Sequence, residues 1–228
     1  MTFKGIYNMK IKACIFDMDG TLINSIMDIA SSMNLALKKL GYREIKTEEF
    51  NTLVGRGYSK LIENTLKHLN IDLNDKHLND NLYQEFVKAY NQNLYFHTKT
   101  YDGIPELLKK LNSLKIPIGI LSNKNHEELL IITKDIFKDI KFFEVRGYSS
   151  KFEAKPDPEN ALDMIIELNL MPQEIAYIGD SDVDMLTAQN AGFLPIGVSW
   201  GFRTIQELKE NGAKYILNNP FELLDILK

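Results

Sequence analysis

The chain has 228 residues, with 27 Lys and Arg against 31 Asp and Glu and a formal net charge of −4. That length suits one medium domain, or a core with a smaller insert, and the slightly acidic balance without a basic stretch argues against nucleic acid as a partner. A single cysteine excludes an intramolecular disulfide and fits a reducing compartment. No apolar run nears the ~20 residues of a membrane span, and the N-terminus lacks an apolar stretch followed by a cleavage site, so a cytoplasmic protein without a membrane partner is expected.

Met9 lies just before the first strand pattern, which predicts a loose extension over residues 1–8. Ile11 to Phe16 reads as a buried strand, with Cys14 as a small core residue, and it runs into "DMDGTL". Asp19-Gly20 alone reads as a turn. Residues 24–98 pattern as helices throughout. Ile26, Ile29, Met33, Leu37 and Leu40 recur at three- and four-residue spacing, with Gly41 suited to the C-terminal cap. Thr47 is placed to cap a short helix carrying Glu48 and Glu49 in its first turn. "GRGYS" reads as a loop from which Ser59 starts a helix faced by Leu61, Ile62, Leu66 and Leu69; Leu82, Phe86, Tyr90 and Leu94 mark one more. Helices without strands predict a separate small bundle.

From residue 101 the pattern alternates. Strands are expected over 116–121, 142–145, 175–178, 195–198 and 214–217, with helices over 104–114, 126–136, 158–169, 183–190, 204–211 and 221–227. Uniformly apolar strands alternating with helices predict an α/β fold with a parallel sheet covered on both faces, the first strand belonging to it. The expected division is a core of residues 1–23 and 99–228 with residues 24–98 inserted.

Polar sites in such sheets collect beyond the carboxyl ends of the strands. Asp17 and Asp19 follow the first strand and share a face, because side chains alternate along an extended chain. Ser122-Asn123 follow "IPIGIL", and Asp180, Asp182 and Asp184 follow "IAYIG". Lys155 sits in "AKPDPENAL", with Asp157 suited to a cap and Pro158 to the first helical position. Each has a plain structural reading, as a cap or a solvated loop lysine. Together they put carboxylates, a hydroxyl and a lysine at one sheet edge. Two carboxylates at about 4 Å repel by roughly 4 kcal/mol at an effective dielectric near 20. A divalent cation relieves that repulsion, and few hard oxygen ligands with room for water favour Mg²⁺. Metal, lysine and hydroxyl then make a site for a dianion, with phosphate the natural candidate. His68, His77, His97 and His126 show no metal-ligand spacing, and "IGVSWGF" lacks the glycine pattern of a nucleotide loop.

"DMDGTL", "LSN", "KPDP" and "GDSDVDM", in that order, resemble the four motifs of the haloacid dehalogenase (HAD) superfamily, and the spacing spans nearly the whole chain. "VGRGYSKLIENTL" and the tail from Ser199 are similar to phosphoglycolate phosphatases, although Asp102-Gly103 stands where that family often shows Pro-Gly. The resemblance implies a Rossmann-like core with an inserted helical cap of the C1 type. It also implies an aspartyl-phosphate on Asp17, with Asp19 as general acid and then base. By the same resemblance, Asp17, Asp180 and the backbone carbonyl of Asp19 bind Mg²⁺, and Ser122 and the backbone near Asn123 hold the phosphoryl oxygens. Lys155 neutralises charge, Asp184 orients Lys155 and Asp182 faces solvent. Arg56 in the cap is a candidate for gripping a carboxylate or second phosphate of the substrate. The implied function is a phosphatase for a small phosphorylated metabolite, as a monomer or homodimer. A β-phosphoglucomutase-type phosphomutase, a pyrophosphatase or a sugar-phosphate phosphatase is the alternative on the same scaffold. A signalling receiver would be shorter and lack the insert, and a silent binding protein would lack a motif residue.

Overall fold

A computed structural model describes residues 10–227; the extension expected over residues 1–8 lies outside the described residues. The chain order is β1 (Ala13–Phe16), β2 (Ile23–Asn24), α1 (Ile26–Lys39), α2 (Gly57–His68), α3 (Lys76–Gln92), β3 (Lys99–Thr100), α4 (Ile104–Ser113), β4 (Ile118–Asn125), α5 (His126–Ile136), β5 (Glu144–Tyr148), α6 (Glu159–Met164), β6 (Ile175–Gly179), α7 (Asp182–Ala191), β7 (Leu194–Val198), α8 (Ile205–Glu210), β8 (Tyr215–Leu217) and α9 (Leu223–Ile226). Six strands form a parallel sheet in the order β5-β4-β1-β6-β7-β8.

The alternation of β1 explains why the sheet is covered on both faces. Cys14 and Phe16 pack with α4, α5 and α9, while Ala13 and Ile15 pack with α6 and α7. Cys14 is fully buried, and that burial pushes its thiol up to about 12, leaving it an inert core group. From β1 the chain builds outward to β4 and β5 on one side, then to β6, β7 and β8 on the other, so a crevice opens at the carboxyl end of β1. Phe16 is level with both Ile120 and Ile178. Asp17, Ser122 and Asp180 therefore stand within two residues of one level at the carboxyl edge of the sheet.

Helices α1, α2 and α3 close on a second apolar cluster that includes Met33, Leu37, Phe50, Leu66, Phe86 and Tyr90. The chain leaves the sheet layer through β2 and returns through β3, and these two segments pair antiparallel, a ribbon the sequence pattern does not reveal. Asp28 of α1 fastens the return by accepting the backbone N–H groups of His97 (2.9 Å) and Thr98 (2.8 Å). No helix among the described residues is long and apolar enough to cross a membrane.

Several boundaries differ from expectation. Strand β4 continues past the apolar run to Asn125 with a register shift after Leu121, because Asn123 and Asn125 find partners there. Lys46, not Thr47, precedes the short 3₁₀ turn, whose Glu49 carboxylate accepts the Lys46 N–H (3.1 Å). Helix α2 starts two residues before Ser59. Helix α6 is shorter than the expected span and passes into a 3₁₀ turn that ends at Asn169 in the left-handed region. Pro158 takes the cap position there, while Asp157 still accepts the Glu159 N–H (2.9 Å).

Candidate active site

Lys155 reaches four acceptors at the carboxyl edge of the sheet. Its buried Nζ lies 2.8 Å from Asp17 Oδ1 and 2.7 Å from Asp184 Oδ1, and it also donates to Tyr177 Oη (3.0 Å) and Leu121 O (3.2 Å). Burial alone would strip its proton, but the Asp17 and Asp184 carboxylates hold it well above the ordinary lysine value. The loop that carries it is held by Asn123. The Lys155 N–H donates to Asn123 Oδ1 (2.8 Å), and Asn123 Nδ2 donates to Lys155 O (3.1 Å) and Gly55 O (3.3 Å). Ser122 is buried beside it, and its Oγ accepts the Lys124 N–H at 3.4 Å.

Asp17, Asp180 and Asp184 each offer a carboxylate oxygen within 4.8 Å of the other two. The "DSDVD" stretch builds this cluster locally. Ser181 caps α7, and Asp184 Oδ2 accepts from the Ser181 N–H (3.0 Å), the Ser181 hydroxyl (2.6 Å) and the Asp180 N–H (3.2 Å). Asp180 accepts the Phe202 N–H (2.8 Å) and the Thr21 hydroxyl (3.3 Å). Gly20 makes room for it. With φ at +87°, a Cβ there would stand 2.3 Å from Asp180 Oδ2.

The charge in this cluster is under-compensated. Burial pushes the Asp17 carboxyl up to about 6 despite Lys155, with Asp184 and Asp19 adding to the rise. Burial, together with the Asp184 and Asp17 charges, holds Asp180 well above the usual carboxylate range; the Phe202 N–H and Arg203 offset only part of that rise. Hard oxygen donors, close together and short of positive charge, fit a divalent cation.

Asp19 has a cation of its own. Its carboxylate meets Lys124 Nζ at 3.1 and 3.3 Å and accepts the Ser25 hydroxyl at 2.5 Å. Lys124 is buried, and its Nζ also donates to Tyr90 Oη of α3 (2.7 Å). Burial opposes the Lys124 charge, yet Asp19 and Tyr90 keep it above the ordinary lysine value. Tyr90 in turn lies edge-on to Tyr58 of α2, whose hydroxyl donates to Glu128 of α5. Sequence reading misses Lys124. The available signal is its place two residues after Ser122 on an extended segment, which points both side chains to one face.

These groups line a cavity of about 50 Å³ between the sheet edge and the helices, with Asp17, Asp19, Ser122, Lys124, Asp180 and Arg203 among its walls. Arg56 is not among them. Gly55 (φ +117°) and Gly57 (φ +79°) turn the loop so that its backbone faces the cavity. The Arg56 side chain is left outside, paired with Asp182 at 2.5 Å, so Asp182 is not the purely solvent-facing group expected. Arg203 supplies the cavity's guanidinium instead.

Residues 14–198 match the family model of haloacid dehalogenase-like hydrolases. The chain belongs to that family. More particularly it is a phosphoric monoester hydrolase of the phosphoglycolate phosphatase-like kind. It is 31% identical to a phosphoglycolate phosphatase of Chromobacterium violaceum, over 97% of this chain and 99% of that one. It is 30% identical to a phosphoglycolate phosphatase of Aquifex aeolicus, over 95% and 97% of the two chains. The crystal structure of a predicted phosphoglycolate phosphatase from Haemophilus somnus superposes with a TM-score of 0.88 at 25% identity, covering 97% of this chain and all of the other.

Proposed function

We propose that this chain is a Mg²⁺-dependent phosphatase that hydrolyses a small phosphomonoester, of the phosphoglycolate type, through an aspartyl-phosphate on Asp17. The observation that carries this reading is the separation of the two aspartates of "DMDG": Asp17 faces Lys155 and the acidic cluster, whereas Asp19 faces Lys124. Two carboxylates with different surroundings are suited to different tasks. Asp17 attacks phosphorus while the bond to the leaving oxygen breaks, and Asp19 gives that oxygen its proton. Asp19 then takes a proton from the water that hydrolyses the acyl phosphate.

Ser122 and the backbone near Asn123 hold the phosphoryl oxygens, and Lys155 offsets their charge while Asp184 and Tyr177 keep its ammonium aimed. Asp17, Asp180 and the Asp19 carbonyl would hold Mg²⁺, which when bound supplies positive charge against the phosphoryl group. Residues 24–98 act as a cap that closes the site and excludes water. The names of the relatives support phosphoglycolate as the substrate. The single buried thiol suits work in the cytoplasm.

The test is a phosphate-release screen with Mg²⁺ over phosphoglycolate, sugar phosphates, nucleotides and pyrophosphate. Phosphoglycolate is expected to give the highest kcat/KM. A sugar-phosphate isomer in place of inorganic phosphate would identify a mutase and overturn the reading.

A further inference from the structure

Arg203, on the segment between β7 and α8, has two of its three guanidinium nitrogens committed. Nε meets Glu207 Oε1 at 3.2 Å, and Nη2 donates to Val54 O of the cap loop at 2.7 Å. Nη1 is buried and has no hydrogen-bond partner among the described residues. The side chain is only 11% exposed and lines the same cavity as Asp17 and Ser122. The other cations of the site are engaged. Lys155 is surrounded by Asp17, Asp184, Tyr177 and Leu121 O, and Lys124 by Asp19 and Tyr90.

A buried charged donor without an acceptor is rare in folded proteins and marks a place where something else supplies one. Arg203 lines the cavity of about 50 Å³ that also has the Ser122 hydroxyl and Asp17 in its walls, and its unpaired Nη1 lies buried at that wall. The acceptor that matches a guanidinium best is a second anion, and a carboxylate is the smallest that does so. Nη2 and Glu207 fix the guanidinium plane beforehand, so little freedom is lost when the acceptor arrives.

Building on the phosphatase reading, we infer that Arg203 Nη1 binds the carboxylate of the substrate, making Arg203 the residue that selects carboxylate-bearing phosphomonoesters over neutral ones. Arg203 also offsets part of the charge around Asp180 and holds the cap loop. Its loss therefore lowers turnover of every substrate to some degree. Selectivity, and not activity alone, is the readout.

The experiment compares 2-phosphoglycolate with 2-hydroxyethyl phosphate, in which a CH₂OH group replaces the carboxylate. kcat/KM for each is measured in the full chain with saturating Mg²⁺, for the wild type, Arg203→Met and Arg203→Lys. The wild type is expected to prefer 2-phosphoglycolate. R203M is expected to cut that preference about 30-fold, mainly through KM, the loss of one charge-assisted contact; R203K should fall between the two. Should R203M be recovered unfolded, R203K carries the comparison alone. Equal losses on both substrates, or a wild type without the preference, overturn the assignment and leave the phosphatase reading standing. Hydrolysis of neither substrate by the wild type overturns both.

Discussion

Lys124 Nζ lies 3.1 Å from Asp19 Oδ2 and 2.7 Å from Tyr90 Oη, so one buried ammonium joins the second aspartate of the first motif to a helix of the cap. The position of Asp19 is thereby tied to the docking of α3. Truncating Lys124 to Met removes the charge and leaves Asp19 with the Ser25 hydroxyl in place of an ion pair. Breaking such a pair typically costs about 3–5 kcal/mol when fully buried, and Asp19 retains some exposure. K124M is expected to lower kcat about 10- to 100-fold and to reduce Tm. Single-turnover kinetics check it. An unchanged kcat would show that Asp19 needs no positioning from Lys124.

Tyr58 makes the second link of this interface. Its hydroxyl donates from α2 to Glu128 of α5, and its ring lies edge-on to Phe86 at 5.1 Å and Tyr90 at 6.0 Å. Burial raises the Glu128 carboxyl, and the Tyr58 hydroxyl and Lys124 are what hold it back. Tyr58→Phe keeps the ring packing and removes only the donor, which leaves a buried acceptor short by about 1–3 kcal/mol. The expected result is a KM raised about 3- to 10-fold with kcat less affected. Faster amide exchange in α2 and α3 should accompany it. Exchange rates equal to wild type would mean that the hydrogen bond does not hold the cap.

Asp17→Asn tests the chemical assignment most directly. Asn keeps the volume and one oxygen for Lys155 Nζ, so the circular dichroism spectrum should be unchanged. Phosphate release should fall by more than about 100-fold, since loss of a nucleophile usually exceeds that. Residual turnover above about a hundredth of wild type would sink the nucleophile role.

Much of this site was legible because its groups stand immediately after apolar strands. The strand patterns ending at Phe16, Leu121 and Ile178 locate Asp17, Ser122 and Asp180 without any tertiary information, and a parallel sheet brings their ends together. Lys155 and Asp184 followed from their places before and inside helix starts. What stayed hidden depends on contacts between distant segments. Lys124 acquires meaning only through Asp19, 105 residues earlier, and Arg203 only through Val54, 149 residues earlier. Neither lies in a composition or period that marks it. Arg56 stands outside the cavity for a local reason that sequence does not reveal, the left-handed backbone on either side of it. The β2–β3 ribbon is two residues per strand, too short for alternation to register.

The acidic cluster gives a signed pH prediction. Burial outweighs Lys155 and pushes the Asp17 carboxyl up to about 6, and Asp180 is raised in the same direction. An unfolded aspartate loses its proton near about 3.9. Between those values the metal-free native chain binds more protons than the unfolded chain, so these two groups make stability fall as pH rises through the window. A cation competes with the same protons, so Mg²⁺ should bind more tightly above pH 6 than below it. The Mg²⁺-induced rise in Tm is therefore expected to be larger at about pH 7.5 than at about pH 5.5, and to shrink at both in Asp180→Asn. EDTA should stop phosphate release and Mg²⁺ restore it. A Tm increment independent of pH, or full turnover in EDTA, would remove the charge argument for the metal, because the carboxylates would then need no partner beyond Lys155.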